Sequence, residues 1–118
     1  MRKLILPFFV FFLLASCSNR HKAETVIGAF LDAHLVDTEY ETEFVAMDST
    51  NKIRPEVLAN MQQQALRDPA FKHDISWTKA ADKGYFFLRM RIIQGQDTAV
   101  RTFYLDRELT RVVAFKQN

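Results

Sequence analysis

Apolar and polar residues change period twice along the chain. Leu4 to Leu14 is a nearly unbroken apolar run, interrupted only by Pro7. From Val26 the apolar positions recur as Val26, Ile27, Phe30, Leu31, His34 and Leu35, the spacing of one face of a helix. That predicts an amphipathic helix over 23–36, with Gly28 inside it at a close packing contact. Asp37 or Thr38 is placed to cap a second, short helix burying Tyr40, Phe44 and Val45. Asp48-Ser49-Thr50-Asn51 reads as a loop. Pro55 suits the first turn of a third helix, where its missing N–H is unpaired anyway. Val57, Leu58, Met61, Ala65 and Leu66 form that helix's stripe, and Asp68-Pro69 ends it.

Beyond Pro69 the period shortens to two. Ile75, Trp77 and Thr78 suggest a first strand. In 85–94, Phe86, Leu88, Met90 and Ile92 point one way, and Tyr85, Phe87, Arg89 and Arg91 the other, as in a half-buried antiparallel strand. Gly95-Gln96-Asp97 is a turn and 99–105 the next strand. A two-residue turn at Gln96-Asp97 sets Phe103 opposite Met90, Leu105 opposite Leu88, Arg89 opposite Tyr104 and Arg91 opposite Thr102. A slip by one residue would mix apolar and charged faces. After a turn at 106–109, 110–116 is the last strand, with apolar residues on both faces. The expected fold is α+β: N-terminal helices packed on one face of a curved four-stranded antiparallel sheet.

The N-terminal run is well short of the roughly 20 residues that span a bilayer as a helix. With Arg2 and Lys3 before it and Ala15-Ser16 after it, it fits a secretory signal. Leu14-Ala15-Ser16-Cys17 resembles the bacterial lipobox. That resemblance implies cleavage before Cys17, diacylglycerol on its sulfur and acylation of the new amino group. Residues 1–16 are then the signal, 17–22 the lipidated Cys and a polar tether, and 23–118 a single domain. Ser18 after the Cys resembles the pattern of lipoproteins sent to the outer membrane, here facing the periplasm. The other reading is an ordinary secretory signal with a coincidental Cys.

Charge changes the picture by vanishing. The net charge is +2, and Arg2 and Lys3 supply both charges, so the remainder is balanced. That and export argue against a nucleic-acid partner. Cys17 is the one cysteine. The domain therefore has no disulfide and no thiolate metal site, and His21, His34 and His73 lack ligand spacing. Neither a metal nor a cofactor is expected, since Gly28, Gly84 and Gly95 are too scattered for a phosphate loop.

The layout also resembles the nuclear-transport-factor-2-like and cystatin-like group, through 25–33 as its opening helix and 85–92 and 109–115 as its sheet. Catalytic members of that group place Asp, Tyr or His in a pocket between helix and sheet. The resemblance implies His34, Tyr85, Arg89 and Tyr104 as pocket candidates, although a lone His on an apolar face is more often a core residue. Asp32 points away from the core.

Arg89, Arg91, Arg101 and Arg111 are the most pointed chemical feature. Arg89 and Arg91 share a strand face with Tyr85, and Tyr104 is expected opposite Arg89. Arg stacks on aromatic rings and binds carboxylate or phosphate bidentately. The bland alternative is a solvated face whose stems lie on aromatics. These residues are compatible with two functions. One is a non-enzymatic accessory or binding module, anchored to the bilayer through Cys17, contacting an envelope protein through Tyr85, Arg89, Arg91 and Tyr104, with a homodimer also compatible. The alternative is a pocket enzyme or small-ligand carrier, which needs a partly polar cavity at His34 or Tyr85 rather than a space filled by Phe30, Trp77 and Met90.

Overall fold

A computed structural model describes residues 2–77 and 84–118, with side chains from residue 18 onward. Its elements are α1 (Arg2–His34), β1 (Glu41–Thr50), α2 (Pro55–Ala65), β2 (Tyr85–Gln94), β3 (Asp97–Leu105) and β4 (Val112–Gln117). The class is α+β, with two helices and one open antiparallel sheet in the order β1-β2-β3-β4. Among the described residues no helix is long and apolar enough to cross a membrane.

α1 starts far earlier than the expected 23, and the tether residues 18–22 are helical. They contain no Gly or Pro, and two local bonds support the turn. Arg20 pairs with Glu24 at 2.7 Å, and the Thr25 hydroxyl donates to the His21 carbonyl at 2.9 Å. Such i,i+4 pairs each stabilise a helix by about 0.2–0.5 kcal/mol. Ala23, Ile27, Leu31 and Leu35 are fully buried at a spacing of four. Gly28 makes no close packing contact, because a Cβ there would meet nothing within 4 Å.

The expected short helix after Asp37 is instead strand β1. Its apolar positions mislead for a physical reason. The register between β1 and β2 shifts between Phe44 and Ala46, so Val45 is an inserted bulge residue. Phe44 and Met47 thus both pack on the main core although they are three apart. With Tyr40 they copy a helical period of four and three. A bulge puts two residues against one and re-aims the side chains beyond it. Val45 itself is 42% exposed rather than buried.

The expected strand at Ile75 and Trp77 does not form, and Thr78 lies outside the described residues. Ile75 is buried and Ser76 exposed, so the alternation exists without a partner strand. The chain here leaves an isolated bridge between Leu35 and Phe71. Val57, expected on the buried stripe of α2, is exposed, while Leu58, Met61 and Ala65 are buried.

β2 and β3 pair two residues away from the expected register. Gln94 faces Asp97, Phe103 faces Leu88 and Leu105 faces Phe86. Arg89 therefore meets Thr102 and Arg91 meets Val100, and Tyr104 lies opposite Phe87. The turn centres on Gly95-Gln96 because Gly95 takes φ 61°. Only glycine enters that region without steric cost, so it sets the turn's position. A slip of two preserves which side chains share a face.

β4 resolves its two apolar faces by a second bulge. Phe103 faces Phe115 and Tyr104 faces Ala114, but Leu105 faces Val112, which leaves Val113 extra. Val112 and Phe115 join the main core with α1, while Val113 and Ala114 join Tyr85, Tyr104, Leu58 and Met61 on the other side. Both sheet faces are thus apolar in part, where cover on one face was expected. Phe30, Phe71, Phe103 and Phe115 make an aromatic centre, with Phe71 and Phe115 4.3 Å apart. Trp77 stacks on Phe30 at 5.8 Å, and Met90 is buried in the same core.

Candidate functional site

α2 lies along β4 and covers only part of the outer sheet face. Leu58 and Met61 close over Tyr85, Tyr104, Val113 and Ala114. Tyr85 and Tyr104 are accordingly 5% and 8% exposed. They belong to a small packed cluster and are not part of a contact surface. Arg89 and Arg91, on the same face, remain half-buried beyond the reach of α2. The four residues expected to form one patch are therefore split by burial.

Arg89 donates from Nε to the Thr102 hydroxyl at 3.3 Å, and that hydroxyl donates to the Asn118 side chain at 2.9 Å. The Asn118 amide bonds the Val100 carbonyl at 2.9 Å. The arrangement holds the Arg89 stem flat on the sheet. Among the described residues Arg89 has no carboxylate within ion-pair distance. Arg91 faces the Glu43 carboxylate at 3.4 Å, with both side chains partly exposed. One guanidinium is thus open to an acceptor and its neighbour is half-engaged.

Arg101 and Arg111 serve elsewhere. Arg101 is 4% exposed and grips Asp68 through two bonds, Nε to Oδ2 at 3.1 Å and Nη2 to Oδ1 at 3.2 Å. It ties the end of α2 to β3. Arg111 lies on the β3–β4 turn, where Asp106 accepts from the Thr110 hydroxyl and from the Thr110 and Arg111 amides. Partial burial pushes the Asp106 carboxyl up, but these bonds and the Arg111 charge outweigh it and hold it below its usual range.

His34 sits at the end of α1, its ring 4.7 Å from Phe30. Its Nδ1 is 3.5 Å from the Asp74 carboxylate, within ion-pair reach but without hydrogen-bond geometry. Trp77 Nε1 is likewise buried, with no hydrogen-bond partner among the described residues. Both residues border a surface depression of about 430 Å³ between α1 and residues 75–77. The two nitrogens are sealed from it, so it offers mainly apolar wall. Asp32 is exposed as expected but does have a partner, accepting from the Tyr40 hydroxyl at 2.6 Å. Burial first, then that bond and the carboxylate charge, push the Tyr40 phenol up to about 12. A phenol so raised is a structural donor near neutral pH and not a base.

The hydrophobic pattern gives no hint of one further feature. Asp37, Glu39, Glu41, Glu43 and Asp48 occur in a stretch, 37–51, that contains no Lys or Arg. In a helix these carboxylates would be dispersed around the axis. Glu41, Glu43 and Asp48 lie exposed on the edge strand β1, and Asp37 and Glu39 are exposed on the segment leading into it. Thr38, Glu39, Tyr40, Glu41, Ile93 and Gly95 border a depression of about 510 Å³ at its start. The absence of cations across that stretch was the available signal.

Among the described residues no group of His, Cys, Asp or Glu gathers as a metal set. The geometry offers charged contact surfaces. Comparison with known proteins finds no matching family model, no matching curated protein and no matching solved structure.

Proposed function

We propose that the chain is a lipid-anchored protein of the bacterial envelope, whose domain is a non-enzymatic accessory or binding module. The observation that carries it is the order Arg2-Lys3, the apolar run 4–14, then Leu14-Ala15-Ser16-Cys17. Cleavage before Cys17 with two or three acyl chains gives stable anchoring, where one chain is marginal. Ser18 favours the outer membrane with the domain in the periplasm. Two further observations support the reading. Residues 18–22 are exposed and Ala23 is fully buried, so such cleavage removes no described core side chain. Arg20 also lies 3.8 Å over the Phe44 ring, which docks this helical stretch on the sheet. At 1.5 Å per residue the anchor sits about 9 Å from the first core residue, so it is stiff and short.

The finer fold class proposed is the nuclear-transport-factor-2-like or cystatin-like group. The contact surface is Arg89 and Arg91 on the uncovered sheet face. Intact mass of the chain expressed in a bacterial host, beside Cys17→Ala, tests the anchor. The expected wild-type mass begins at Cys17 and carries acyl chains, which the variant lacks. An unlipidated wild type refutes it. Arg89→Ala with Arg91→Ala should abolish retention of an envelope partner in a pull-down, and unchanged retention removes the patch.

A further inference from the structure

The sheet has two edges, and only one is covered. Gln62 on α2 donates to the Val113 carbonyl of β4 at 2.9 Å. β1, among the described residues, has a hydrogen-bonded neighbour on its β2 side only. A bare edge presents unpaired N–H and C=O groups and recruits other strands. The residues of this edge and its approach, 37–51, also carry charge of one sign only. Among the described residues, only Glu43 of Asp37, Glu39, Glu41, Glu43 and Asp48 has an ion-pair partner, Arg91.

We propose that the β1 edge docks an extended, lysine- or arginine-bearing segment of a partner protein by strand addition. This deepens the binding-module reading and rests on it. Main-chain bonds to β1 supply attachment. The cation of the partner sits between Glu39 and Glu41, which border the 510 Å³ depression beside Tyr40 and Gly95. Edge charges ordinarily serve to block pairing, and here they block selectively. Antiparallel pairing with a second copy over 41–44 would bring Glu41 and Glu43 against the Glu43 and Glu41 of the neighbour. An acidic segment meets the same repulsion, whereas a basic one is attracted. Discrimination through a repulsive element is how specific interfaces reject wrong partners.

Position favours access. The Tyr40 hydroxyl reaches the Gly28 carbonyl and the Asp32 carboxylate on α1. That is about 16 Å along the helix from Cys17, at 1.5 Å per residue, so an anchored domain holds this end away from the bilayer. The Val45 bulge interrupts the edge, which limits the docked segment to the stretch before it. The segment therefore pairs with residues 41–44.

The test uses the full chain in detergent and a short, capped, fluorescent peptide of alternating Val and Lys, with a Val–Glu peptide as control. Anisotropy should give a Kd near or below about 100 µM at low salt for the Val–Lys peptide and none for the control. Hydrogen exchange should slow at residues 41–44. Glu39→Gln with Glu41→Gln, both exposed, should weaken binding roughly tenfold while leaving the circular dichroism spectrum unchanged. Equal affinity for both peptides overturns the proposal, as does no binding or protection confined elsewhere. Concentration-dependent protection of β1 without peptide overturns it in favour of a second copy. Arg89→Ala with Arg91→Ala should leave peptide binding intact. Loss of the Arg-dependent pull-down and loss of peptide docking are therefore separable failures.

Discussion

At β4, a helix lies along the strand, a side-chain amide occupies a free carbonyl, and the buried Arg101–Asp68 pair ties the end of that helix to β3. At β1, among the described residues, the outer edge has no neighbouring strand and carries carboxylates and an exposed Val45. Burial protects the first edge and charge protects the second. Burial closes an edge to everything, whereas charge of one sign leaves it open to the opposite sign. The contrast is why the proposed binding surfaces all lie on the β1 side of the sheet.

The largest expected effect comes from opening the covered edge. Asp68→Ala leaves the Arg101 guanidinium buried and unpaired, and breaking such a pair costs about 3–5 kcal/mol. Urea unfolding should show that loss. A change below about 1 kcal/mol would mean that α2 is held on β4 by its apolar contacts alone. Gln62→Ala is milder. It leaves the Val113 carbonyl without that donor and should cost about 1 kcal/mol. It should also raise the exchange rate of β4 amides more than that of β1 amides. The reverse order would erase the distinction between the edges.

The smallest effect sharpens the bare side. Tyr40 leads into β1, and its phenol is pushed up to about 12, by burial first and then by Asp32. An unfolded tyrosine titrates near 10. The folded value is the higher, so this contribution is complete below about 10 and is lost as pH rises from about 10 to 12. Tyr40→Phe should flatten that alkaline loss of stability and remove one phenolate step from the absorbance titration. A lost step near 10 in place of one near 12 would detach Tyr40 from Asp32.

Where local pattern and long-range pairing agree, the elements are legible in the residues alone. α2 starts at Pro55, β2 covers 85–94, and parity puts Phe86, Leu88, Met90 and Ile92 on one face, as their spacing implies. Where an extra residue enters a strand, the pattern misleads. Tyr40, Phe44 and Met47 copy a helix because Val45 bulges, and β4 shows two apolar faces because Val113 does. The candidate site suffers in the same way. Face alone groups Tyr85 and Tyr104 with Arg89 and Arg91, and α2 then covers only the tyrosines. The acidic edge stays hidden because a stretch with a helical period has no edge.

The sequence by itself determined the class of the domain, the α2 and β2 elements and the pairing parity, because these rest on near-neighbour sterics and spacing. Tertiary structure alone decided which strand lies at an edge, where the bulges fall, which cation is buried with Asp68, and which aromatic residues are covered. Each of those depends on contacts between residues distant in the chain, and burial converts the same side chain from a contact surface into core.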